Sequence, residues 1–269
     1  MPPPEEHRVF APDLLAGRTA IVTGGGTGLG RAIAQVLAEA GSDLLLAARR
    51  EEPLRQAAAE IRASTGRRVE TALVNIRERE SVEAFARTAL ERCGRIDVLV
   101  NNAGGQYPQR ARDLRPKGWQ AVIETNLGGT WHMTQAFGNQ MLEGEGGSIV
   151  QIIAVVGRGF PGLAHTAAAR AGVLELTRTL AIEWGPRVRL NCVAPGPVLT
   201  AGFESTYDEG VLRFLEGIPI PRPGTPREVA NAVVFLASSA ASWVTGEVLY
   251  VAGGQQLYGR NQAIFEFER

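Results

Sequence analysis

The chain predicts a single α/β domain built on a doubly wound parallel sheet, and three observations carry that reading. Short apolar runs alternate with longer helical patterns along the sequence, the mark of strand–helix–strand units. Several of the runs are apolar at consecutive positions instead of alternate ones, as strands covered on both faces require. The glycine-rich segment TGGGTGLG, Thr23 to Gly30, lies between the first run and the first helical pattern.

Residues 1–12 (MPPPEEHRVFAP) carry no periodic apolar pattern and are expected to form a disordered or extended tail. The domain is expected over 13–258, with a second tail over 259–269. Strands are expected at TAIVT (19–23), DLLLAA (43–48), VETALV (69–74), DVLVNN (97–102), SIVQII (148–153), VRLNCV (188–193) and EVLYV (247–251). Between them, helical patterns cover 29–40, 51–64, 80–93, 117–142, 164–184 and 226–238. The segment 197–225 is rich in proline and glycine and long for a loop, so it reads as a lid or substrate loop. No internal repeat or linker divides the chain.

Composition narrows the function classes. With 269 residues and 45% hydrophobic content, the chain can bury one sizeable core. Its 28 basic and 28 acidic residues cancel, which gives no broad electrostatic case for nucleic acid or an anionic membrane. No apolar run is long enough to span a bilayer, and the first residues lack the apolar core of a secretory signal. Cys93 and Cys192 match no metal or redox spacing, and the three histidines show no ligand spacing. No metal is expected, and the cysteines fit a reduced, cytoplasmic protein.

Glycines after a first strand let the backbone turn sharply and approach a pyrophosphate, and the following helix offers free N–H groups and the positive end of its dipole. Thr23, Gly24, Gly26, Thr27, Gly28, Leu29 and Gly30 are therefore expected to bind a dinucleotide. The second strand ends in LLLAARR, where an acidic side chain would hold the 2′-hydroxyl of NAD. Arg49 and Arg50 stand there instead, and a guanidinium pairs with a 2′-phosphate, so NADP(H) is the expected cofactor.

The spacing of TGGGTGLG, NNAG (Asn101 to Gly104) and PGPVLT (Pro195 to Thr200) resembles the short-chain dehydrogenase/reductase family over about residues 10–258. The resemblance implies one Rossmann-like domain, usually in a homotetramer. It implies Asn75 and Ile76 beside the adenine, and Asn102, Ala103 and Gly104 along the cofactor cleft. Pro195, Gly196, Val198 and Thr200 would flank the nicotinamide. Asn126, in ETNLGGT, matches the family's helix asparagine, which holds a water and a proton relay; a plain helix-polar role is the alternative.

The family's serine, tyrosine and lysine positions read Ala154, Thr166 and Arg170. Hydride addition to a ketone makes a strongly basic alkoxide that needs a proton as it forms. A threonine hydroxyl is too weak an acid for that, and arginine stays charged, although Arg170 can still bond the nicotinamide ribose. Ordinary ketone chemistry is therefore not expected.

NNAGGQYP, KGWQAVIETNLGGT, GFPGLAHTAAARAGV and RLNCVAPG are similar to the peroxisomal trans-2-enoyl-CoA reductase branch of the family, with the related 2,4-dienoyl-CoA reductases. That implies conjugate reduction of an enoyl thioester by NADPH. A tyrosine proposed as catalytic in that branch is replaced here by Leu174, and the C-terminal FEFER is not a peroxisomal tripeptide. An enolate is far less basic than an alkoxide and needs hydrogen-bond donors aimed at its oxygen. Asn126, His165, Thr166 and Arg170 are the catalytic candidates; His165 reads equally well as a loop histidine satisfied by backbone. Tyr107, Tyr207 and Tyr258 are further donors the sequence does not place. Arg110, Arg112, Arg115 and Lys117, with Arg213, Arg222 and Arg227, read either as a rim for an acyl carrier's phosphates or as solvated surface. Two alternatives stay open: a non-catalytic NADP(H)-binding homologue, and a reductase of a small carbonyl or enone.

Overall fold

The computed structural model describes residues 8–157, 159, 161–200 and 215–257. Its strands are β1 (Thr19–Thr23), β2 (Asp43–Ala48), β3 (Val69–Leu73), β4 (Val98–Asn101), β5 (Gly147–Ile152), β6 (Val188–Pro195) and β7 (Val248–Val251). The helices are α1 (Gly28–Glu39), α2 (Glu51–Thr65), α3 (Arg79–Cys93), α4 (Pro116–Ile123), α5 (Gly129–Glu143), α6 (Ala164–Trp184) and α7 (Pro226–Ala237). All strands pair in parallel in the order β3-β2-β1-β4-β5-β6-β7.

Each face of the sheet has its own core, which explains the continuous apolar strands. Ala20 and Val22 of β1 face α1, α2 and α7 through Ile33, Leu37, Leu54 and Val233. Ile21, between them, faces α3 and α5 through Phe85, Met133 and Phe137. Successive side chains point to opposite faces, and both faces are covered. Phe10 and Leu14 already rest against the first core, and Leu15 is fully buried in it.

Strand order reverses between β1 and β4, because the chain builds outward first through β2 and β3 and then through β5 to β7. The loops after β1 and β4 therefore leave a crevice at the carboxyl ends of the strands, where ligands of such sheets bind.

Most expected boundaries shift by one or two residues, and two differences bear on the site. The pattern over 117–142 is not one helix: a π-helical turn, Glu124–Gly128, separates α4 from α5. Side-chain periodicity barely changes across such a turn, so the pattern cannot reveal it. The strand expected at 97–102 stops at Asn101, because the amide of Asn102 turns to Thr23 Oγ1 at 2.9 Å. Of the expected lid, residues 201–214 lie outside the described residues.

Candidate functional site

Thr23 joins the two loops of the crevice. Its Oγ1 accepts from the amides of Asn102 and Ala103, both at 2.9 Å, and donates to the Val100 carbonyl at 3.2 Å. The Asn102 amide group donates to the Thr23 carbonyl at 2.9 Å. Gly24 follows with φ +68°, a conformation that favours glycine. Gly30 is packed so that a Cβ would lie 2.2 Å from the Gly24 carbonyl oxygen. The turn thus needs glycine at its start for the bend and at its end for close approach of helix to loop.

Gly28 and Leu29 open α1. Thr27 precedes them in extended geometry with no side-chain cap, and the first turn holds no acidic residue. The free amides of that turn face the crevice unopposed by a carboxylate, which suits an anionic pyrophosphate. Thr200 returns over the same end of the helix, its Cβ 4.0 Å from where a Gly28 side chain would begin. Pro195 and Gly196 deliver it there: Gly196 donates to the Val251 carbonyl at 3.0 Å, and Val198 bridges Gly224.

A cleft of about 200 Å³ extends from this turn toward the ends of β2 and β3. Gly24, Gly26, Thr27, Arg49, Arg50, Asn75, Ile76, Ala103 and Gly104 all line it. Arg49 and Arg50 are exposed and form no ion pair with a carboxylate among the described residues. Asn75 is held by its own surroundings, its amide on Ser81 Oγ at 3.0 Å and its Nδ2 on Glu78 at 2.6 Å. Ala47, Ala48, Pro53, Val74, Arg77 and Thr125 also line the cleft and are not among the residues expected from the sequence. Arg77 is ion-paired with Glu124 at the π-helical turn. Its position directly after Asn75 and Ile76 was the available signal.

The second part of the site lies beyond Gly104. A Cβ on Gly104 would stand 2.4 Å from both Arg170 Nη2 and Asn126 Oδ1. Asn126 is fully buried and clamps the next residue: Gly105 N donates to its Oδ1 at 3.0 Å, and its Nδ2 donates to the Gly105 carbonyl at 2.7 Å. Its own carbonyl accepts from Thr130 Oγ1 at 2.9 Å. The side chain is thus engaged in holding the loop after β4.

Arg170, on α6, is 9% exposed and donates to the Ile152 carbonyl at 2.7 Å. No carboxylate pairs with it among the described residues, and burial lowers its pKa to about 10. It remains a cation at neutral pH, placed between the end of β5 and Gly104.

One turn earlier on α6, His165 and Thr166 are buried. The Thr166 amide donates to His165 Nδ1 at 2.8 Å, which leaves the ring proton on Nε2. That Nε2 is buried and has no partner. Burial pushes the imidazole pKa below its ordinary value, so the ring is neutral at pH 7. Tyr107 stands edge-to-face against it, with ring centroids 4.9 Å apart.

Other expected residues do not join this arrangement. Arg110, Arg112, Arg115 and Lys117 are exposed on the loop and helix start after Tyr107. Arg222 turns to Glu228 at 2.6 Å and Arg227 to Glu39 at 2.5 Å, so both are tied into the fold. Arg213, Tyr207 and Tyr258 lie outside the described residues. Cys192 is buried, and burial raises its thiol pKa to about 11. Among the described residues no three His, Cys, Asp or Glu side chains gather as a metal set, and no helix is long and apolar enough to cross a membrane.

Residues 24–256 match the family model described as enoyl-(acyl carrier protein) reductase. A peroxisomal 2,4-dienoyl-CoA reductase, (3E)-enoyl-CoA-producing, of Danio rerio is 39% identical over 259 residues, covering 94% of this chain and 86% of its own. A 3-oxoacyl-[acyl-carrier-protein] reductase of Chlamydia muridarum is 39% identical over 243 residues, covering 90% and 98%. Among solved structures, a citronellol catabolism dehydrogenase of Pseudomonas aeruginosa superposes with a TM-score of 0.83 at 39% identity, covering 92% and 98%.

Proposed function

Since the chain belongs to the short-chain dehydrogenase/reductase family of oxidoreductases, we propose that it reduces the C2–C3 double bond of an enoyl thioester of the trans-2-enoyl-CoA type with NADPH. The observation that carries the proposal is that α6 holds both a buried, carboxylate-free Arg170 and, five residues earlier, a neutral His165 whose Nε2 lacks a partner. Such a pair suits a developing oxyanion better than an alkoxide that needs immediate protonation.

The crevice residues fit the cofactor. The uncapped start of α1 would face the pyrophosphate, Arg49 and Arg50 the 2′-phosphate, and Asn75 and Ile76 the adenine. NADPH, when bound, supplies a hydride to the β-carbon of the thioester. The electron pair of the double bond then moves onto the α-carbon and the thioester oxygen. Arg170 provides positive potential beside that charge, and His165 Nε2–H can donate to the oxygen. Water or a weak side-chain acid returns the proton to the α-carbon. Asn126 acts from behind, by fixing Gly105 and with it the wall of the cleft.

A second reading draws on the dienoyl-CoA relative. The same donors would serve a 2,4-dienoyl thioester, where hydride enters at the δ-carbon, the charge reaches the same thioester oxygen, and α-protonation leaves the 3-ene. The relatives also include 3-oxoacyl reductases, and the assay separates all three. NADPH oxidation is followed with crotonyl-, trans-2-hexenoyl-, trans-2-decenoyl-, 2,4-hexadienoyl- and acetoacetyl-CoA. Deuteride from labelled NADPH is expected only at the β-carbon and solvent deuterium only at the α-carbon. Deuteride at the δ-carbon of the dienoyl substrate, with monoenoyl-CoA inert, establishes the second reading. Efficient reduction of acetoacetyl-CoA overturns the proposal, and no turnover of any substrate supports the non-catalytic NADP(H)-binding alternative. A cytoplasmic homotetramer is the assembly and location that accompany this proposal, and light scattering tests the former.

A further inference from the structure

A buried hydrogen-bond donor without a partner is costly, and His165 Nε2 is one. Its neighbour is unlike the rest of its surroundings. His165 is 0% exposed, whereas Tyr107, edge-to-face against it, is 39% exposed and sits on the loop that leaves the cleft wall. The hydroxyl end of Tyr107 rests where α4 has no side chain: a Cβ on Gly118 would lie only 1.9 Å from Tyr107 Oη and 3.2 Å from Cζ. Below the ring, the same loop is pinned to the segment entering α6 by the Gln109 amide on the Gly162 carbonyl at 2.8 Å. The ring is therefore held at two points: His165 against its face or edge, and the Gly118 gap around its tip.

We infer that Tyr107 is a displaceable cover over His165 Nε2, and that its ring must leave before a substrate carbonyl oxygen can take that donor. Gly118 is the seat that keeps the cover closed. The residue determines access, not proton transfer, because its hydroxyl points into α4 and its ring supplies the contact. The identity of the incoming oxygen as that of a thioester rests on the function proposed above; the cover itself does not.

Histidine modification by diethyl pyrocarbonate reads the cover without any turnover, with His132 as the internal reference and peptide mass spectrometry to assign sites. In the parent protein His165 is expected to react slowly. Tyr107→Ala is expected to speed its modification by about tenfold or more, the change that corresponds to an equilibrium shift of about 1.4 kcal/mol. Gly118→Ala, whose new methyl group must push the hydroxyl from its seat, is expected to speed it too. Tyr107→Phe keeps the ring and is expected to stay within about twofold of the parent. Crotonyl-CoA with NADP⁺ is expected to restore protection in Tyr107→Ala.

Equal His165 rates in the parent and in a folded Tyr107→Ala overturn the cover. If Tyr107→Ala does not fold, a Gly118→Ala rate equal to the parent does so. Fast modification in Tyr107→Ala that neither crotonyl-CoA nor 2,4-hexadienoyl-CoA slows leaves the cover standing and overturns the thioester reading of His165.

Discussion

Gly104 and Arg170 fit each other with no room for a methyl group: a Cβ on Gly104 would lie 2.4 Å from Nη2 of the buried guanidinium. The glycine of the loop after β4 thereby lets an unpaired cation reach the cleft wall, and Asn126 closes the same gap from α4–α5.

Gly104→Ala is expected to displace either the loop or Arg170. The clash is with the end of a side chain that is itself buried and bonded to Ile152, so relief is limited. A loss of ~1–3 kcal/mol in stability is expected, typical of overpacking, together with a fall in turnover. Chemical denaturation and steady-state kinetics measure the two.

Arg170→Met separates charge from volume. The Ile152 carbonyl loses a donor at a cost of ~1–3 kcal/mol, but the fold no longer buries an unpaired cation. Stability is expected to change little, while kcat/KM falls by roughly 10²–10³, the scale of one lost oxyanion contact. A melting temperature that collapses with activity retained would assign Arg170 a purely structural part.

Arg49→Glu tests the cofactor preference. NADPH affinity is expected to fall by about tenfold or more, on the scale of one charge-assisted bond to phosphate, with NADH affinity nearly unchanged. Titration calorimetry gives both constants, and equal affinity of the parent for the two cofactors would contradict the preference.

His165 predicts a pH dependence. Burial holds its folded pKa below the ordinary imidazole value of about 6.5. Below that unfolded value the unfolded chain binds more protons than the folded one, so stability falls as pH drops through 6.5 toward the folded pKa. Glu39 and Glu228, each held low by an arginine partner, lose stability at lower pH for a different reason. For Glu39 burial pushes upward, and the Arg227 and Gln35 bonds overcome it. The histidine contribution is therefore read as the difference between parent and His165→Gln melting curves across pH 5–8, a window set by imidazole titration at about 6.5. That difference is expected to shrink the pH slope in the variant.

The sheet, the glycine turn that opens the crevice and the family were legible in the residues alone. Each was local in kind: consecutive apolar residues such as Ile21 and Val22 require cover on both faces, and Gly24 to Gly30 carry the turn and the helix start in one short segment. The contents of the other end depend on long-range packing. It broke the helical pattern at Glu124–Gly128, engaged both amide atoms of Asn126 with Gly105, and withdrew Arg222 and Arg227 into ion pairs. It also set Tyr107 on His165, residues 58 positions apart in sequence, with Gly118 beneath the hydroxyl. These facts depend on which long-range neighbour takes each hydrogen bond or fills each gap, and neither spacing nor periodicity records that competition.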